Sequence, residues 1–418
     1  MRRAVSEAET RELIIAGGGA AGLALATALA GRLGRGFRIL LCEPAALAAS
    51  AEDGRAYAVA AGPRRFLASL GIWDELAPRA QVMTAMAISD SALAALYRPV
   101  LLAFAGEIAP GEPFAHMVPH APLIAALAKA ARAAGVEIAA TRVLKAAPEA
   151  GTIRAGLEDG RKVRAPLLVA ADGGRSRLRE AAGIACHGWA YGQSAIVATI
   201  AHEREHHGRA VQHFLPGGPF AMLPLKAPDG SGTWSSIVWS EQRETAARLI
   251  SGDPARFEEA LAQRFGAELG RIGVVGKAKL FPLEMRLARR LSAERLVLLG
   301  DAARTIHPLA GQGLNLGLKD AAALADCVQG AARLGLDHGA ADVLERYQRR
   351  RRFDGAAMAA MTDGLNKLFG LPGPGARAVR EIGLGLVDRL PPLKRLLIGE
   401  AAGTQARRDE RSYTRPSS

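Results

Sequence analysis

The stretch RELIIAGGGAAGLALATALAGRL, residues 11–33, decides the fold. It opens on the apolar Leu13-Ile14-Ile15, passes through Gly17, Gly18 and Gly19, and continues as a run of small helix formers. By hydropathy alone, the 19 uncharged residues from Leu13 to Gly31 behind Met1-Arg2-Arg3 resemble a signal peptide or a short membrane span. About 20 apolar residues suffice for either. The glycines break any helix in its first third, so a buried strand, a turn and a buried helix fit better. Gly17-x-Gly19-x-x-Gly22 then has the setting of a dinucleotide fingerprint. The first glycine allows the tight turn, the second the approach of a pyrophosphate, and the third close packing of helix on strand. The helix start offers unpaired N–H donors to the phosphates. Glu43, 21 residues beyond Gly22 at the end of the second apolar run, is placed to accept from ribose hydroxyls. This pattern leaves FAD and NAD equally open.

At 418 residues the chain has room for two or three domains of ~100–200 residues each. Lysine and arginine number 54 against 41 acids, a formal charge of +13. The arginines are scattered and aromatics are only 5%, which argues against a nucleic-acid surface. Cys42, Cys186 and Cys327 lie far apart with no metal-binding spacing, so a reducing compartment, no metal and inert thiols are expected.

Further along, FRILLCE (37–43) reads as a second strand and GPRRFLASLGIWDEL (62–76) as a helix. Residues 83–108 alternate weakly, as in a sheet. HAPLIAALAKAARAAGVEI (120–138) reads as helix then strand, and VRAPLLVAADGGRSRLREAAG (163–183) as strand, turn and helix. From about Tyr191 to Trp239, β-branched and aromatic runs separated by turns predict an antiparallel sheet. Residues 253–266 read as a helix, and the chain beyond Asn315 is mostly helical, with Arg349–Arg352 taken as a solvated face. The expected class is α/β (α+β): a Rossmann-like nucleotide-binding domain in three pieces (1–80, 119–188, 286–352), a discontinuous mixed-sheet substrate domain (81–118, 189–285) and C-terminal helices with a tail (353–418).

Two more motifs bear on the ligand. LVLLGD (296–301) puts Asp301 at the carboxyl end of a buried strand, where it can bond a ribityl or ribose hydroxyl or else cap a helix. HPLAGQGLNLG (307–317) then exposes backbone through Gly311, Gly313 and Gly317 at the start of a helix. Such a start suits a group that is or becomes anionic. Asp320, in the first turn, is favourable to the helix dipole or structural.

The run from His307 to Asp320 resembles the signature of the ubiquinone-biosynthesis hydroxylases, within the para-hydroxybenzoate hydroxylase-like FAD monooxygenases. Gly300-Asp301-Ala302-Ala303 resembles the group's second FAD motif, and Asp172-Gly173-x-x-Ser176-x-Leu178-Arg179 its third. Asp53-Gly54-Arg55, QHFLPGGPFAMLPL, SSIVWS and LPPLKRLLIGEAAG extend the likeness over nearly the whole chain. His120-Ala121 stands where relatives carry an Asn-Arg pair, and His213 where an arginine is common. The resemblance implies FAD as cofactor, NAD(P)H as co-substrate and O2 as oxidant, with a C4a-hydroperoxyflavin transferring one oxygen to a polyprenylated phenol.

On that reading Gly17, Gly19, Gly22, Glu43, Arg55, Asp172, Asp301, Pro308, Gly311, Gly313 and Asn315 hold the cofactor, Arg55 as a flavin or gating contact. His213, Pro219 and Pro308 line the substrate pocket; no catalytic acid or base is evident beyond His307 and His213 as weak candidates. A bilayer-resident substrate implies a cytoplasmic protein that touches the membrane surface peripherally, through residues 382–398 (IGLGLVDRLPPLKRLLI) or through partners in a quinone-biosynthesis assembly. The competing readings are a hydroxylase of a small soluble aromatic compound and a flavin-binding assembly subunit without turnover. A halogenase lacks its WxWxIP segment here, and a plain NAD dehydrogenase has no use for the second and third motifs.

Overall fold

A computed structural model describes residues 8–45, 54–90, 100–105, 107–215, 217–308 and 311–370. The strand Leu13–Ala16 is buried throughout. It lies in a six-stranded sheet of spatial order Glu137–Ala139, Ile39–Cys42, Leu13–Ala16, Leu167–Ala170, Leu296–Leu298, Ser292–Ala293. The first five strands are parallel and only the last pair is antiparallel. Chain order therefore reverses direction between the Leu13 and Leu167 strands. An open parallel sheet takes its ligand beyond the carboxyl ends of its strands at such a reversal, and Gly17 and Asp172 flank it. The membrane-span alternative for residues 13–31 is overturned: they form this strand and the fingerprint helix Ala20–Leu33, buried from Gly22 to Ala30. Burial on both faces is why these segments read as unbroken apolar runs. Among the described residues, no helix is long and apolar enough to cross a membrane.

The second large sheet has eight strands: Arg304–Thr305, Ile272–Ala288, Cys186–His202, Trp234–Gln242, Gly218–Leu225, Arg209–Leu215, Ala85–Asp90, Val100–Ala105. It is mixed because the Arg209 and Ala85 strands run parallel, whereas the neighbouring pairs are antiparallel. Side chains alternate across it. Val211, Leu215, Phe220, Met222, Ile237 and Trp239 point to one face, where Ala246, Phe257, Leu261 and Phe265 of the helices Arg243–Ser251 and Pro254–Phe265 cover them. From the opposite face Ala210, Ala221, Leu223 and Leu225 pack on Ala58, Met83, Ala115 and Met117. These last four belong to a small sheet of Ala56–Ala60, Ala115–Pro119 and Gln81–Met83. One face of the large sheet is thus sealed by helices, and the other looks toward the nucleotide side.

Residues 81–83 and 115–119 join that small sheet rather than the substrate sheet expected for 81–118. The expected helix at 62–76 breaks at Gly71 (φ +72°) into Ala61–Ser69 and Trp73–Leu76. The helix Ala341–Gly370 runs through the boundary expected at residue 352. The segment 382–398, Asp53, Leu309 and Ala310 lie outside the described residues.

Candidate functional site

The three fingerprint glycines have different reasons. A Cβ on Gly17, whose φ is +119°, would lie 2.1 Å from the Ala171 carbonyl oxygen, and one on Gly22 would lie 2.1 Å from the Gly17 oxygen. Both glycines are demanded by the protein's own packing. A Cβ on Gly19 would meet nothing within 4 Å. Gly19 is the N-cap of the fingerprint helix with no side-chain cap, so unpaired N–H donors face open space there. That cradle fits a pyrophosphate. Glu43 is fixed beside it, accepting from Gly18 N–H at 2.7 Å on one oxygen and from Ala45 N–H at 3.0 Å on the other. Each oxygen keeps a lone pair for a hydroxyl.

The second and third motifs meet in space. Arg179, 2% exposed, donates from Nη1 to both Gly174 O and Ala302 O at 3.0 Å, tying the Asp172–Gly174 loop to the Gly300–Ala303 turn. Ser176 caps the short helix that carries Arg179, and Asp172 accepts from Leu178 N–H at 3.3 Å. Asp301 caps no helix and makes no hydrogen bond among the described residues. Its surface is exposed, yet desolvation raises its pKa, with Arg304 opposing.

Gly311 (φ +63°) is the left-handed N-cap of the helix Gln312–Ala332, and its N–H donates to Pro308 O at 3.0 Å. A Cβ here would sit 3.6 Å from Ala58 Cβ, whereas one on Gly313 would meet nothing. Like Gly19, Gly313 leaves space that the protein does not use. Gly317 permits the crossing with the fingerprint helix, where an added Cβ would be 3.3 Å from Ala21 Cβ. Asn315 is buried and spends its side chain on the Ala56–Ala60 strand, donating to Ala58 O at 2.8 Å and accepting from Ala60 N–H at 3.0 Å. Its amide positions the helix start, leaving ligand contact to the main chain. Asn315→Leu orphans two buried backbone groups at about 1–3 kcal/mol each. We expect a thermal midpoint lowered by several degrees and weaker flavin retention, measured by calorimetry and absorbance.

Asp320 is a charge hub. Fully buried, it accepts from Arg304 Nη1 at 2.9 and 3.0 Å, from Arg351 Nε at 2.7 Å and from Gly300 N–H at 3.3 Å. Arg351, 2% exposed, therefore does not belong to a solvated face as its basic neighbours suggested.

His307 is 1% exposed, and neither ring nitrogen has a partner among the described residues. Its ring lies edge-on to Tyr191 at 5.2 Å, and the Tyr191 hydroxyl donates to Asp363 at 2.9 Å. Burial pushes its pKa down to about 4 against the pull of Asp363. So weak a base takes a proton from a phenol, with a pKa of about 10, only steeply uphill. His307 is thus a ring that burial keeps from taking up a proton, packed edge-on against Tyr191.

At the expected flavin contact, Arg55 Nη2 donates to His120 Nε2 at 3.0 Å, and His120 N–H donates to Arg55 O at 2.9 Å. A guanidinium only donates, so the neutral ring carries its proton on Nδ1 and gives it to the Tyr57 oxygen, 3.0 Å away. His120, at the departure from the Asn-Arg pair, thereby takes hold of Arg55. The arginine also lies over the Phe281 ring at 5.9 Å.

The expectation for His213 is not met. It shares parity with Val211 and Leu215, is buried, and pairs through Nδ1 with Ser89, so it points to the helix-covered face. Gln212, Phe214 and its cross-strand neighbour Pro219 occupy the face toward the nucleotide side. Phe214 stacks on Phe369 at 3.5 Å, bringing the end of the helix Ala341–Gly370 over that face. Strand alternation is the sequence signal that sets this face, since residues 211, 213 and 215 share one parity. Among the described residues, no group of three His, Cys, Asp or Glu side chains is placed to hold a metal.

A family model described as FAD binding domain matches residues 10–362. Ubiquinone hydroxylase UbiL of Rhodospirillum rubrum is 40% identical over 398 residues, covering 94% of this chain and 90% of that one. The 3-demethoxyubiquinol 3-hydroxylase of Escherichia coli is 33% identical over 408 residues, covering 94% and 98%. Among solved structures, p-nitrophenol 4-monooxygenase PnpA of Pseudomonas putida has a TM-score of 0.78 over 95% of this chain and 99% of that one, at 19% identity, a likeness of fold alone. With such relatives aligned along nearly its whole length, the chain belongs to the FAD-dependent monooxygenases of the ubiquinone-biosynthesis hydroxylase family.

Proposed function

We propose that the protein hydroxylates a ring carbon of a prenylated phenol on the way to ubiquinone, consuming NAD(P)H and O2. One oxygen atom enters the ring; the other leaves as water with the hydride of NAD(P)H and a proton. The observation that carries this reading is the anchoring of the Gln312 helix start on Ala58 and Ala60 through the Asn315 side chain. It sets this helix start, with open space at Gly313, against the strand on which the open face of the large sheet packs. Bound FAD supplies hydride acceptance and oxygen activation. The chain's own residues do the rest. Gly19 and Gly313 leave room for the cofactor, while Glu43, Asp172 and Asp301 offer carboxylates to it or hold its loops. Arg55, steadied by His120, brings a cation to the mouth between cofactor and substrate sheet. The Gln312 helix start stabilises negative charge there. Pro308, Pro219 and the Phe214–Phe369 stack exclude water from the ring. A prenylated substrate resides in a bilayer, so the proposal includes peripheral contact with a membrane surface.

The test is NAD(P)H oxidation by the FAD-loaded protein. Addition of 2-geranylphenol is expected to stimulate it and to yield a hydroxylated ring. Stimulation by small soluble phenols alone would move the reading to a soluble aromatic substrate. No stimulation by any phenol would favour an assembly subunit.

A further inference from the structure

The register that turns His213 away from the site turns its neighbour Gln212 toward it. Gln212 stands opposite Ala221 in the hairpin of Arg209–Leu215 and Gly218–Leu225. Ala221 packs in the apolar cluster that includes Ala58, whose carbonyl accepts from Asn315 at the start of the Gln312 helix. Two positions along the strand from Gln212, on the same face, Phe214 stacks on Phe369. Gln212 thus lies between the flavin-loop contact and the aromatic stack.

The residue as a whole is 4% exposed, and its carboxamide makes no hydrogen bond among the described residues. A carboxamide carries two donors and an acceptor, and burying them unpaired is costly. Neither polar atom of the Gln212 carboxamide is fully enclosed, so both meet the open space on this face and are available to a group that enters it. Its neighbours on the face, Ala210, Phe214 and Ala221, are apolar and supply no partner.

We propose that Gln212 contacts the substrate and reads the oxygen substituent of its ring, so that it governs which ring carbon is presented to the flavin. The inference rests on the proposed hydroxylation of a phenol. A carboxamide can accept from a phenolic O–H and donate to a carbonyl or methoxy oxygen, which suits ring substrates in successive oxidation states. In the otherwise apolar surroundings one such bond fixes the rotation of the ring, and a misplacement of about 1 Å is enough to divert the chemistry.

The test compares Gln212→Met, which keeps size and shape but removes both donor and acceptor, with Gln212→Asn, which withdraws the carboxamide by one methylene. Both are assayed as FAD-loaded enzyme with 2-geranylphenol. We expect Gln212→Met to raise KM about tenfold, to divert reducing equivalents into hydrogen peroxide and to broaden the pattern of hydroxylated products. Gln212→Asn should give an intermediate KM. Because the folded protein has no bond to lose, the thermal midpoint without substrate should stay the same or rise for Gln212→Met. A fall in that midpoint with KM unchanged would assign Gln212 a structural role and overturn the inference. So would wild-type KM, coupling and product pattern in both variants, while leaving the proposed function standing. Absence of phenol-stimulated turnover in the wild type would remove the proposed function and this inference with it.

Discussion

Asp320→Asn is expected to cost about 3–5 kcal/mol of stability and to strip the protein of flavin. The substitution creates no cavity, so the loss is electrostatic. Asp320 is the carboxylate shared by Arg304 and Arg351, each of which is buried and already has an Nη2 without a partner among the described residues. Neutralising it leaves two guanidinium ions with less compensation, from Asp354 at 2.7 Å from Arg351 and from Asp301 near Arg304. It also weakens the hold on Gly300 N–H, and with it the turn presenting Asp301. Arg351→Met should cost less, because the Arg304–Asp320 pair survives. Denaturant midpoints and the flavin-to-protein absorbance ratio check both variants; an Asp320→Asn protein of wild-type stability would show that the triad contributes nothing.

Gly19→Val is expected to leave the apoprotein as stable as the parent while weakening FAD binding about a hundredfold or more, the scale of one or two lost charge-assisted hydrogen bonds. The backbone at Gly19 (φ −66°) accepts any residue, and a Cβ there meets no protein atom. Its side chain would occupy the space left for the pyrophosphate. Gly22→Ala should do the reverse, destabilising the apoprotein by forcing a methyl to within 2.1 Å of the Gly17 carbonyl. Apoprotein melting and FAD titration separate the two. Wild-type FAD affinity in Gly19→Val would place the phosphates elsewhere.

Local signals carried far in this chain. Unbroken apolar runs ending in glycine marked the parallel sheet because such strands are buried on both faces, and Glu43 was readable because its distance from the fingerprint is set by one helix and one strand. Long-range pairings were not readable. Arg351 sits among four consecutive arginines, and nothing in that run distinguishes the one that turns inward to Asp320, 31 residues earlier. Asn315 looked like a ligand-binding amide, but its partners are backbone groups more than 250 residues away. His213 is a different case: its chemistry suggests a site residue, whereas strand alternation sets the sheet face on which it lies.

The most direct test of the account is to incubate the FAD-loaded protein with NAD(P)H, 2-geranylphenol and 18O-labelled O2 and to examine the product by mass spectrometry. The account predicts a hydroxylated phenol carrying one 18O atom, formed at the expense of one NAD(P)H. A product whose new oxygen comes from water, or NAD(P)H oxidation that yields only hydrogen peroxide, would contradict it.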